Sequence, residues 1–208
     1  MGELAQALSN MDEKKLYELV DKQIADGISP LDIIRGCNDG MIRVGDLFSE
    51  GKYFISQLIY SAEMIKQVMK KLDPLLSGMK VSGGVGGKVV IGTVKGDIHD
   101  IGKNIVVTLL KGSGFEVIDL GVDVPAEKFV EAVRQTEAKA LGMSALLNFT
   151  YPAMKEVVDA ISAAGLREKV KIIVGGAPVN EQVKEFTGAD YYAKDAVSGI
   201  TMCREIYS

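Results

Sequence analysis

A chain of 208 residues has room for one large domain or two small ones, and 47% hydrophobic and 25% charged residues with only five prolines exclude long disorder. A net charge of −4 gives no electrostatic basis for binding nucleic acid, and no basic run marks a membrane surface. No apolar stretch approaches the ~20 residues that span a bilayer, and the start MGELAQALSNMDEKK is too polar for a secretory signal, so a cytoplasmic, acidic, folded protein is expected.

The first 76 residues read as helices. Asn10 and Glu13 have the spacing of a capping box, and after them Leu16, Leu19, Val20 and Ile24 recur at helical intervals. Ser29 and Pro30 give a second start, an N-cap hydroxyl followed by a proline whose missing N–H costs nothing there. That helix, or a broken pair, runs through Met41, Val44 and Phe48 until Gly51. A further helix aligns Ile55, Leu58, Ile59, Ala62, Ile65, Met69 and Leu72 on one stripe before Pro74. Three or four helices with short loops predict a small antiparallel bundle over 1–76. The two cysteines, Cys37 and Cys203, lie far apart in helical surroundings, a usage that fits a reducing compartment.

Between Ser77 and Lys88 the composition changes: SGMKVSGGVGGK holds five glycines in twelve residues and reads as a flexible linker over 77–88. From 89 to 208 short apolar runs alternate with helical patterns. The runs are VVIGTV (89–94), VIDLG (117–121), ALGMSAL (140–146), VKIIVGG (170–176) and DYYA (190–193). The helical patterns lie near 102–112, 126–136, 152–164, 181–186 and 196–206. Strands buried on both faces by crossover helices look like this, so an open, parallel, doubly wound five-stranded sheet is expected. In such sheets a ligand sits beyond the carboxyl ends of the strands, at the switch in strand order, which directs attention to the loops after 94, 121, 146, 176 and 193.

The first of those loops, VKGDIHDIGKN (94–104), holds His99, the only histidine in the chain, between Asp97 and Asp100. A carboxylate two residues before a histidine in a glycine-bounded turn can hold one ring nitrogen and leave the other as a preset metal donor. Gly96 and Gly102 would let the backbone approach a large planar ligand. The plainer alternatives are a solvated loop histidine and two aspartates capping the next helix. A protein-built zinc site needs three or four ligands, which one histidine and two remote cysteines do not supply. A phosphate-binding P-loop is excluded as well: five residues separate Gly96 from Gly102, and Asn104 stands where a magnesium-binding hydroxyl belongs. A single histidine makes sense as a metal ligand if the cofactor brings its other ligands, as a macrocycle does.

GDIHDIGKN matches the Asp-x-His-x-x-Gly signature of cobalamin-binding domains, and the string DIHDIGKN, opening a doubly wound domain behind a helical bundle, closely resembles methionine synthase and the corrinoid proteins of methyltransferase systems. The resemblance covers nearly the whole chain. It implies a helical bundle cap followed by a Rossmann- or flavodoxin-like cobalamin-binding domain. It further implies a cobalamin or related corrinoid held base-off and His-on, with His99 as the lower cobalt ligand, Asp97 as its partner and Thr150 as third member of the relay. The loop from Gly96 through Asp97, Ile98, His99, Asp100 and Ile101 to Gly102 would face the cofactor. Ser144 after the third strand, and Gly175, Gly176 and Ala177 after the fourth, would line the pocket of the displaced nucleotide tail, and Leu146, Asn148 and Thr150 would also face the cofactor. There a Cβ on either glycine would obstruct the ribose-phosphate chain. YFISQLIYSAEMIK (53–66) resembles the helix that covers the upper corrin face, with Phe54 as shield and Leu58 one turn on, although a plain bundle core has the same stripe. Thr150 alone would serve equally as an N-cap for the helix beginning near Pro152.

The resemblance implies a methyl carrier that is not catalytic by itself: Co(I) takes a methyl group from a substrate-specific corrinoid methyltransferase, and methyl–Co(III) gives it to a second methyltransferase with a thiol or tetrahydropterin acceptor. A reductive activase would complete the set of partners, with neither nucleic acid nor membrane among them. A B12-dependent sensor, a radical mutase subunit and a flavodoxin-like binding module are the rivals. The first lacks a DNA-binding element in the acidic first 30 residues, and the second would need a substrate barrel in place of the cap.

Overall fold

The computed structural model describes residues 2–78 and 87–208, which divide into two units, Met1–Leu76 and Ser77–Ser208. Residues 79–86, most of the expected glycine-rich linker, lie outside the described residues.

The first unit consists of α1 (Glu3–Ser9), α2 (Glu13–Ala25), α3 (Pro30–Ser49) and α4 (Ile55–Gly78). A helix of seven residues is marginal by itself, so α1 depends on packing. Its Leu4, Ala5 and Leu8 are buried, and α3 approaches closely because Gly36 and Gly40 carry no side chain. A Cβ on Gly40 would stand 2.9 Å from the Ala5 carbonyl oxygen. This helix displaces the expected capping box: Asn10 closes α1, and α2 is capped by Asp12, whose carboxylate accepts the Lys15 N–H at 3.1 Å. The second start is as read, with Ser29 at the N-cap and Pro30 in the first turn, although the Ser29 hydroxyl caps no N–H; α3 is one unbroken helix.

Helix α4 runs past the expected stop at Pro74 to Gly78. The proline removes one backbone bond and costs about 3 kcal/mol, which burial of Leu72 and Leu76 at about 1.5–3 kcal/mol each offsets. The buried stripe of α4 is Ser61, Met64, Ile65, Val68, Leu72 and Leu76. Ile55 and Ile59, placed on the core stripe by periodicity, lie about a third of a turn or more round the helix and are each 65% exposed.

In the second unit the five expected strands form as β1 (Lys88–Thr93), β2 (Glu116–Asp119), β3 (Ala140–Ser144), β4 (Lys171–Gly175) and β5 (Tyr191–Ala193). All pairs are parallel and the order is β2-β1-β3-β4-β5, the flavodoxin-type arrangement. The helices are α5 (Ile101–Gly112), α6 (Ala126–Thr136), α7 (Tyr151–Ala163), α8 (Glu181–Thr187) and α9 (Ala196–Tyr207). Alternate strand residues Val90, Val94, Leu141, Met143, Ile172 and Val174 pack with Phe129 of α6 and Met154, Val157 and Ile161 of α7. The opposite face meets α5 and α9. Strand order reverses at β1, flanked by β2 and β3, so the loops after β1 and β3 open beside the crevice.

At the other end of the sheet the Tyr207 hydroxyl ties two strand starts together. It donates to the Lys88 carbonyl at 2.5 Å and accepts the Lys139 N–H at 2.8 Å and the Lys88 N–H at 3.1 Å. Among the described residues no helix is long and apolar enough to cross a membrane.

Candidate functional site

The chain leaves β1 at Thr93 and turns at Gly96, whose φ of +83° favours glycine. Lys95, Gly96, Ile98, His99 and Asp100 are exposed; Asp97 between them is completely buried. A buried carboxylate needs hydrogen-bond donors, and Asp97 is surrounded by them. Oδ1 accepts the His99 backbone N–H at 3.0 Å and lies 2.7 Å from His99 Nδ1. Oδ2 accepts the N–H groups of Leu146 and Leu147 at 2.7 and 3.0 Å.

Burial alone raises the pKa of Asp97, but the His99 and Leu146 N–H groups, the His99 ring and the Leu147 N–H together hold it below the usual carboxylate range. Asp97 is therefore ionised at neutral pH, and its Oδ1 selects the tautomer with hydrogen on Nδ1. The His99 side chain is 46% exposed, and Nε2 has no hydrogen bond among the described residues. An imidazole oriented through Nδ1 with an open Nε2 can serve as a metal donor. Among the described residues no cluster of three His, Cys, Asp or Glu side chains could hold a metal by itself, so a metal here has to bring its remaining ligands. Both cysteines are buried free thiols, Cys37 pushed up to about 11 and Cys203 to about 12 by desolvation.

Thr150 is buried behind Asp97. Its hydroxyl donates to the Leu147 carbonyl at 2.6 Å, while the contact to Asp97 Oδ2 is long at 3.4 Å. A hydroxyl has one proton, so the two backbone amides, rather than Thr150, neutralise Oδ2. Thr150 occupies the N-cap position of α7 but its side chain caps no N–H there. Neither aspartate of the loop caps α5 either: Asp100 Oδ2 accepts the Asn104 side-chain amide at 3.0 Å. Ile101 begins α5, and a Cβ on Gly102 would meet nothing within 4 Å.

Ser144 and Gly175 lie side by side on the face toward α5 and α9, in one row with Thr93 and Ala193. A Cβ on Gly175 would make only an ordinary 3.5 Å contact with the Ala193 carbonyl, so packing within the protein does not require a glycine there. At Gly176, with φ +135° and a hypothetical Cβ 1.9 Å from the Ala145 carbonyl oxygen, the protein's own packing already requires a glycine. Ala177 is exposed, and Asn148 accepts the Tyr151 hydroxyl at 2.9 Å. Exposed apolar side chains stand on the loops that hold Asp97: Ile98 (72%), Phe149 (74%) and Leu146 (40%).

In the helical unit Phe54 directly precedes α4 and is 71% exposed, so it does not serve as bundle core; Leu58 is half-buried.

Sequence reading missed the contacts made through backbone. Leu146 was expected to face the cofactor; its N–H reaches Asp97, together with that of Leu147. Asp123 and the Lys103–Asp119 pair were missed as well. Asp123 Oδ1 accepts the Gly96 N–H at 2.7 Å, and Lys103 Nζ reaches Asp119 Oδ2 at 2.6 Å with its own side chain 2% exposed. A lysine in the apolar row of α5 was the one available signal for the latter.

Known proteins match at both levels. A family model described as a B12 binding domain matches residues 87–201, and a second B12 binding domain matches 2–73. The chain is 38% identical over 208 residues to dimethylamine corrinoid protein 3 of Methanosarcina acetivorans, covering 99% of this chain and 96% of that protein. The solved monomethylamine corrinoid protein of Methanosarcina barkeri is 34% identical with a TM-score of 0.86, covering 98% of this chain and 96% of the other. A chain of the methanol:cobalamin methyltransferase complex of Methanosarcina barkeri is 30% identical, with a TM-score of 0.56, covering 99% of this chain and 78% of that one.

Proposed function

Since the chain belongs to the B12-binding corrinoid protein family, we propose that it holds a cobalamin-type corrinoid, base-off with His99 Nε2 as lower cobalt ligand, and serves as a methyl carrier in a methyltransferase system. The observation that carries this reading is the His99 ring, fixed through Nδ1 by a buried ionised carboxylate with Nε2 left open. When bound, the corrinoid supplies a cobalt centre that accepts a methyl group and gives it up again.

The residues fit such a group. His99 offers the single donor that a macrocycle leaves to be filled. Asp97 keeps Nδ1 protonated and, through its negative charge, strengthens donation from Nε2. Exposed Ile98, Leu146 and Phe149 supply apolar contact, and Gly102 and Gly175, which the protein's own packing does not demand, leave space for close approach. Ser144, with Thr93 and Ala193, would line the course of the displaced nucleotide tail. In the helical unit Phe54 and Leu58 would shield the upper face. Thr150, beside Asp97 Oδ2, can accept a proton-bearing Asp97 as a donor.

The partners in this reading are a substrate-specific methyltransferase, a second methyltransferase acting on a thiol or tetrahydropterin, and a reductive activase, all in the cytoplasm. The relatives are named for monomethylamine, dimethylamine and methanol systems, so the family leaves the methyl donor to the partner enzyme.

The test is an absorption spectrum of anaerobically purified protein mixed with hydroxocobalamin, for wild type and His99→Ala. Retained corrin bands in wild type with an altered axial-ligand signature in the variant are expected. Wild-type protein that retains no corrinoid refutes the reading.

A further inference from the structure

The histidine loop is almost bare of packing: of residues 95–100 only Asp97 is buried. Its height above the sheet is therefore set by hydrogen bonds, and many of these come from one neighbouring loop, the segment between β2 and α6. Gly121 O accepts the Thr93 N–H at 2.9 Å, and the Val124 N–H donates to Thr93 O at 3.0 Å. The Asp123 N–H donates to Asp97 O at 2.9 Å while Asp123 Oδ1 accepts the Gly96 N–H at 2.7 Å. At the far end Asp119 takes Lys103 Nζ at 2.7 and 2.6 Å through its two oxygens, and Oδ1 also accepts the Gly121 N–H at 2.9 Å.

We propose that Asp123 and Asp119 are positioning residues for His99: a carboxylate at the end of β2 and one on the loop that follows clamp both ends of the histidine loop, and neither bonds to the ring. Asp123 holds the peptide group that enters Gly96 and the one that leaves Asp97, and Asp97 holds His99. The backbone of Asp123 supports this role. Its φ of +53° is a conformation most side chains avoid, and aspartate and asparagine tolerate it best. In that conformation one residue turns its N–H to Asp97 and its carboxylate to Gly96. Asp119 fixes the first turn of α5 through the buried Lys103 ammonium, so the loop cannot lift at its exit while it is held at its entry.

The proposal rests on His99 being the cobalt ligand, and its test separates the two. Full-length wild type, Asp123→Ala, Asp123→Asn and Asp123→Gly are mixed with hydroxocobalamin. Two quantities are read: corrinoid retained per chain, and the ratio of histidine-ligated to unligated corrinoid. The ratio comes from absorption and from electron paramagnetic resonance of the reduced cofactor, in which a coordinated imidazole nitrogen splits the cobalt lines. Loss of one hydrogen bond to a charged group predicts a ratio about tenfold lower in Asp123→Ala. Asp123→Asn keeps an acceptor and tolerates the backbone, so it returns to within about twofold of wild type on the same account. Asp123→Gly relieves the backbone and still lacks the acceptor, so it carries the test if the alanine variant does not fold. A wild-type ratio in the glycine or alanine variant, even with a lowered melting temperature, overturns the clamp, and so does an asparagine variant no better than glycine. Wild type without a histidine-ligated signal removes the ligand reading itself, visibly before any variant is made, and the clamp falls with it.

Discussion

Replacing Asp97 with asparagine changes one atom and tests the whole arrangement. Oδ1 faces two groups of His99, and Oδ2 faces the Leu146 and Leu147 N–H groups at 2.7 and 3.0 Å. An amide has one acceptor end. With its oxygen toward His99, its NH2 confronts two backbone donors. Turned round, its NH2 confronts the His99 N–H and forces Nδ1 to act as acceptor, which puts the ring hydrogen on Nε2 and closes the donor site. The first orientation leaves two buried donors without an acceptor and the second leaves one, the His99 N–H, so at least one is lost, at about 2 kcal/mol. For a chain of this size that corresponds to a melting temperature about 4–8 °C lower. The assay is thermal unfolding of the cofactor-free protein at neutral pH, followed by hydroxocobalamin uptake. An acid arm adds a sign. Because Asp97 is depressed below its unfolded value, its stabilisation is present above that unfolded pKa of about 3.9 and is lost as pH falls through the folded one. The difference between wild type and Asp97→Asn should therefore shrink in acid below about pH 4. An asparagine variant melting within about 2 °C of wild type at neutral pH, half a kcal/mol or so, would refute the accounting.

Gly102→Ala, with nothing within 4 Å of the new methyl, should stabilise the cofactor-free protein by up to about 1 kcal/mol while weakening corrinoid retention; unchanged retention in the binding assay counts against Gly102 facing the cofactor. Gly176→Ala should destabilise by more than about 2 kcal/mol whether or not a corrinoid is present, since the obstacle is the Ala145 carbonyl; denaturant unfolding of the cofactor-free protein reads this. Gly40→Ala should cost about 1–3 kcal/mol in the helical unit by pushing α3 off α1, read as a lower denaturation midpoint. Tyr207→Phe strips the Lys88 and Lys139 backbone groups of their shared hydroxyl and should lower stability by about 1–3 kcal/mol in the same measurement, with the corrinoid spectrum unchanged.

The order of strands and helices from 88 to 207 was legible because a strand buried on both faces must be a short apolar run and its crossover helix must be amphipathic. The histidine with its aspartate was legible for a similarly local reason: two residues apart in a turn, their groups meet whatever the rest of the chain does. The misreadings in the helical unit have the opposite cause. Asn10 and Asp12 are equally good caps in isolation, and only the packing of α1 against Gly36 and Gly40 decides between them. Pro74 ends a helix by local rules, and buried Leu72 and Leu76 overrule it.

By itself, then, the sequence determined the two kinds of architecture, the parallel sheet and the pairing of His99 with Asp97, since each follows from residue types at short spacing. Tertiary structure alone decided what surrounds Asp97. The Leu146 and Leu147 amides lie 49 and 50 residues along the chain, and the Asp123 carboxylate reaches Gly96 from 27 residues away. Backbone N–H groups carry no residue identity, so no pattern of side chains could have named them. They converge on the carboxylate because β1 lies between β2 and β3, which brings both following loops to the end of the strand that carries the histidine.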